Sequence, residues 1–128
     1  MDYTTKPRIW TERRRYVRFA LSGELPGIIT NAGGVVFEVL PVDVSQCGLG
    51  LLLDPGPKIG DELILRINGE SDTPQEFLFV VKWTAKEATI AELPGLAALK
   101  HCGLAMVAPK DINLVEFLAS FGGVNIEE

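Results

Sequence analysis

Beyond Arg18 the chain alternates short apolar-rich segments with clusters of Gly, Pro, Asn and Asp, the pattern of β-strands joined by tight turns. In Glu62-Leu63-Ile64-Leu65-Arg66-Ile67 polar and apolar positions alternate, which predicts a strand with one face on a core and one in water. The same reading predicts strands at 17–22 running on to 28–30, and at 35–44, 49–53, 62–67, 76–83, 87–93 and 101–107. Leu51-Leu52-Leu53 and Leu78-Phe79-Val80-Val81 are unbroken apolar runs, so their strands are expected to be covered on both faces. Asn31-Ala32-Gly33-Gly34, Asp54-Pro55-Gly56-Pro57 and Asn68-Gly69-Glu70-Ser71 read as turns. Strands at this spacing point to an antiparallel sandwich or small barrel.

One helix is expected, near the end of the chain. Pro109-Lys110-Asp111 opens it, with Asp111 accepting from first-turn amides, and Gly122-Gly123 closes it. Leu114, Phe117, Leu118 and Phe121 recur at i, i+3, i+4 and i+7, which puts them on one face against the strands. The segment 94–100 reads equally as a helical turn or a loop.

A length of 128 residues supports a single domain, and 47% hydrophobic with 23% charged residues is a globular composition. No apolar run approaches the roughly 18–20 residues of a membrane span, and the opening Met-Asp-Tyr-Thr-Thr-Lys-Pro-Arg has no apolar signal segment, so a cytoplasmic protein without membrane insertion is expected. Cys47 and Cys102 are too few for a disulfide framework or a zinc site, and both are read as reduced core residues.

Charge changes the picture. The net value of −5 argues against general DNA or RNA binding, yet residues 1–18 hold six basic and two acidic side chains, a local +4, and five of the six arginines. The other 110 residues hold six basic and fifteen acidic side chains, a net −9. Such asymmetry predicts a localised site for a compact anion. It falls on Arg14-Arg15-Tyr16-Val17-Arg18, an R-x-x-x-R preceded by Arg13, whose guanidinium forks suit a phosphate or a purine edge. A second pattern, D-x-S-x-x-G at Asp43, Ser45 and Gly48, lies between two predicted strands. Asp and Ser favour tight turns, but a carboxylate is also the natural acceptor for the two N–H groups on the Watson–Crick edge of guanine, and a glycine admits a ligand close to the backbone.

In this order, with strand material between them and Gly-Leu-Gly-Leu (48–51) following, the two patterns resemble the PilZ family of cyclic di-GMP receptor domains. The resemblance implies a mainly β fold, a six- or seven-stranded antiparallel barrel over 14–128 with a C-terminal helix at about 111–121, preceded by a flexible basic arm at 1–13. It implies that Arg14 and Arg18 grip guanine and phosphates, that Asp43, Ser45 and Gly48 bind guanine from the opposite wall, and that Arg13 influences whether one nucleotide or a stacked pair is held. Where many members carry Gly followed three residues later by Phe, this chain has Gly103 and Met106, a change expected to alter packing alone. Trp83 is expected in the core, and His101 as a strand residue with one hydrogen bond.

The expected function is thus a non-enzymatic module that binds cyclic di-GMP, needs no cofactor or metal, passes the signal to a downstream protein by ordering its arm, and moves Trp10 while Trp83 stays buried. The alternative is a PilZ-like protein-interaction adaptor, related to type IV pili, that binds no nucleotide. A small oligonucleotide-binding barrel ranks third, because the sheet region is acidic and poor in exposed aromatics.

Overall fold

The alternation in 62–67 becomes a strand in which Leu63, Leu65 and Ile67 are buried while Glu62 and Arg66 face water. The computed structural model describes residues 17–68, 74–85, 99–120 and 124–127. Within them lie eight strands: β1 Phe19–Gly23, β2 Ile28–Asn31, β3 Glu38–Ser45, β4 Gly48–Asp54, β5 Glu62–Ile67, β6 Gln75–Thr84, β7 Lys100–Ala108 and β8 Val124–Glu127, with one helix, α1, at Leu114–Ala119 between β7 and β8. They form a single sheet in the order β2-β5-β6-β7-β4-β3-β1-β8, every neighbouring pair antiparallel. The sheet curls into a half-barrel around one core. Leu51, Leu53, Leu65, Phe77, Phe79 and Val81 point into it, where Leu114 and Leu118 of α1 join them. Phe117 of the helix meets Phe77 edge-on at 4.8 Å.

The mainly β, antiparallel expectation holds, with eight strands among the described residues in place of the expected six or seven and with four further corrections. The segment predicted to run from 17–22 on to 28–30 is two strands far apart in the sheet, β1 beside one edge and β2 forming the other. Gly23 and Gly27 take φ values of 89° and 99° on either side of Pro26, a conformation that ends an extended chain and redirects it. The strand predicted from residue 35 begins at Glu38, because Asn31 Oδ1 accepts from the amides of Gly33 and Val35 and holds a turn there.

The apolar runs expected to be covered on both faces are covered on one: Leu51, Leu53, Phe79 and Val81 are buried, whereas Leu52, Leu78 and Val80 are half-buried. Among the described residues α1 packs on the inner side alone, so apolar character on the outward positions does not bury them fully.

The helix is shorter than 111–121. Asn113 caps it in place of Asp111, its Oδ1 accepting from Val115 and Glu116, and β8 follows as a strand not foreseen, paired with β1. The strand expected at 87–93, the segment 94–98, the arm at 1–13, Phe121 and Gly122-Gly123 lie outside the described residues. No helix among the described residues is long and apolar enough to cross a membrane.

Candidate functional site

The D-x-S-x-x-G pattern is the β3–β4 hairpin. Asp43 and Ser45 end β3, Gly48 opens β4 opposite Ser45, and Gln46-Cys47 form the two-residue turn. Its tip is fastened from two sides: Cys47 O accepts from Met106 N on β7, and Gln46 O accepts from Leu114 N at the start of α1, both at 2.8 Å. The pattern therefore does serve as a turn, and that turn is held rigidly against the sheet.

Successive strand registers line up Ala20, Asp43, Gly50, Gly103 and Trp83 in one row across the outer face. The two glycines at its centre give up their space to the side chains beside them. A Cβ on Gly50 would clash with the Asp43 carboxylate, and one on Gly103 would meet Trp83 Cδ1 at 2.7 Å. Asp43 and the Trp83 indole thus both lean inward over a backbone floor. Gly48 is similarly enclosed, with Leu104 O at 3.0 Å, Ser45 Oγ at 3.2 Å and Arg18 Nη1 at 3.8 Å from the position of a Cβ.

Arg18 closes on Asp43 from β1's side. Its Nη2 and Nε donate to the same oxygen, Oδ1, at 3.0 and 3.3 Å. Oδ2 has no partner among the described residues and stays available as an acceptor. Ser45 is only 2% exposed, yet it borders the cleft, with its Oγ beside Gly48. Arg18, Ser45, Cys47 and Gly48 line one wall of an outer cleft of about 820 Å³ whose other wall is Lys82 and Trp83, with Gly103 and Ala105 between, and Asp43 stands behind Arg18 at its border. The lining carries two cations and no carboxylate. A carboxylate oxygen with no partner among the described residues and two cations suit a ligand with polar ring edges and anionic groups.

Of the six predicted site residues, Arg18, Asp43, Ser45 and Gly48 come together here, while Arg13 and Arg14 lie outside the described residues. Two residues depart from expectation. Trp83 was expected in the core and is 43% exposed in the cleft wall. Phe77, Phe79 and Val81 alternate inward, which by period two would carry Trp83 inward as well, but the β6–β7 register shifts between Val81 and Trp83. The extra residue of this bulge turns Trp83 outward beside Lys82, which alternation already places there, and nothing in the sequence marks the bulge. Cys47 is half-buried and borders the cleft instead of the core, whereas Cys102 is buried and donates to Lys100 O. Burial pushes the Cys102 thiol from 9.0 up to about 11, against a smaller pull downward from Lys100. For His101, the backbone carbonyl accepts from Ala85 N, the ring Nε2 is buried with no partner among the described residues, and the ring stands edge-on to Trp83 at 4.9 Å. Met106 packs against the core. Lys82 and Trp83 are the site residues that the sequence pattern did not reveal.

No group of His, Cys, Asp and Glu among the described residues could hold a metal ion. The family model for the PilZ domain matches residues 12–115, well over half of the chain. No curated protein and no solved structure matches it significantly. A match of that extent, spanning both motifs and all but the last elements of the described sheet, places the chain in the PilZ family of cyclic di-GMP receptor-type modules.

Proposed function

We propose that this chain is a binding module that captures cyclic di-GMP in the outer cleft, and that it carries out no catalysis. The observation that carries the reading is the Arg18–Asp43 pair above the glycine floor, with one carboxylate oxygen engaged and the other open. Guanine presents two N–H donors on one edge, and Asp43 Oδ2, which has no partner among the described residues, is an acceptor for them; Ser45 Oγ at the cleft supplies a further polar contact. Arg18, oriented by Asp43, directs its remaining N–H groups at a phosphate or at the purine acceptors. The exposed indole of Trp83 offers a flat apolar surface for the base. Arg14 and Arg13 precede Arg18 by one helical turn's length of sequence and add two guanidiniums for phosphate, so that ligand binding orders the basic N-terminal arm and presents a changed surface to a downstream protein.

Calorimetric titration with cyclic di-GMP, GMP and GTP tests this. Saturable binding selective for cyclic di-GMP is expected, weakened by about 1–3 kcal/mol in each of Arg14→Ala, Arg18→Ala and Asp43→Ala. The thermal midpoint should change little for the Arg18 and Asp43 variants, because an ion pair with side chains 45% and 31% exposed contributes at most about 1 kcal/mol to stability. No saturable heat up to millimolar nucleotide would reject the reading in favour of a protein-interaction adaptor.

A further inference from the structure

The two cations of the cleft differ in how they are compensated. Arg18 is paired with Asp43, whereas Lys82 has no ion-pair or hydrogen-bond partner among the described residues and no carboxylate lines the cleft beside it. The unbalanced positive charge of the described cleft therefore sits on Lys82, in a protein whose net charge is −5. Its position is specified by the fold. Alternation along β6 places Lys82 on the outer face, the bulge between Val81 and Trp83 turns the indole out beside it, and the row Asp43–Gly50–Gly103–Trp83 separates the two walls by three strand intervals, about 14 Å between backbones. Glycine at both middle positions makes room for the side chains of the walls, the Asp43 carboxylate lying over Gly50 and the Trp83 indole over Gly103.

We infer that Lys82 is a second anion-reading residue, which takes a phosphate group different from the one held by Arg18 and thereby selects ligands that carry two phosphates on opposite sides of a compact body. The inference rests on the receptor reading above and deepens it. Two cations on opposite walls of one cleft match a cyclic dinucleotide, in which two phosphodiesters flank the ring. A mononucleotide can engage one of them only. Lysine suits this role as a point charge on a flexible stem that needs no paired geometry.

The test is a double-mutant cycle on the full chain, with cyclic di-GMP affinity measured for wild type, Lys82→Gln, Arg18→Ala and the double variant, with Lys82→Arg as the conservative replacement and circular dichroism melts as the fold control. Lys82→Gln is expected to lose about tenfold in affinity with an unchanged melt, to show a shallower dependence on salt than wild type, and to be restored by Lys82→Arg. The Lys82 and Arg18 losses are expected to multiply, as they do when two groups bind separate parts of a ligand. Losses that do not multiply would mean that both cations hold one phosphate, and would overturn the inference. Wild-type binding with Lys82→Gln unaffected would overturn it while leaving the receptor reading in place, and failure of the wild type to bind would remove both.

Discussion

Asp43 lies across Gly50, its partner in the β3–β4 ladder, so closely that a Cβ at Gly50 would fall within 3.0 Å of Asp43 Cγ and closer still to Oδ1. The glycine is there for the aspartate: with no side chain of its own it lets the carboxylate lie down over the sheet, where Arg18 reaches it. Gly103 does the same for Trp83 from the other wall. Two neighbouring glycines, paired with each other across β4 and β7, thus shape the cleft by what they omit.

Gly50→Ala is expected to separate folding from binding. The displaced group is the end of a side chain that can swing away into water, so the domain should fold with a melt close to wild type. The carboxylate would no longer meet Arg18, and affinity for cyclic di-GMP should fall by about 1–3 kcal/mol, much as in Asp43→Ala. Isothermal titration beside a thermal melt decides it; a variant that binds normally would show that the position of Asp43 does not matter to the site.

Trp83 supplies an optical readout. The chain has two tryptophans, and Trp10→Phe leaves Trp83 alone. Its exposure predicts emission accessible to acrylamide in the free protein, and contact with a base predicts quenching or a shift on addition of cyclic di-GMP. Emission that is unchanged at saturating ligand would place the base elsewhere in the cleft.

The two cysteines should react differently with iodoacetamide. Cys47, half-buried at the cleft, is expected to label in the native protein and to be protected by cyclic di-GMP, whereas Cys102 is buried and its thiol is raised to about 11. Because the folded state keeps the Cys102 proton to higher pH than the unfolded chain, its contribution to stability is complete below pH 9.0 and lost as pH rises toward about 11. Urea melts between these limits should fall more steeply for wild type than for Cys102→Ala.

Asn113→Ala removes the cap of α1, whose Oδ1 accepts from Val115 N at 3.0 Å and Glu116 N at 3.3 Å. A loss of about 0.5–2 kcal/mol in chemical denaturation is expected. Leu114 N also holds Gln46 O in the D-x-S-x-x-G turn, so amide exchange in that turn should accelerate along with exchange in the helix. A turn as protected as in wild type would mean that Met106 alone fastens it.

The sequence by itself determined the strand content, the antiparallel class and one wall of the cleft. Period-two alternation is a local property, so Glu62–Ile67 could be read to the residue, and Asp43, Ser45 and Gly48 lie within six positions of one another in a hairpin whose turn chemistry is equally local. Arg18 could be named from charge asymmetry, but its seat on Asp43, 25 residues away, depends on β1 pairing with β3. Only the tertiary structure decided the other wall. A bulge is a mismatch between two strands, invisible in either alone, and it moves Trp83 from the core side to the cleft, beside Lys82. The same holds for β8, whose four residues become a strand because β1 offers them an open edge. It holds also for Gly50 and Gly103, which read as ordinary strand glycines until their neighbours across the sheet are known.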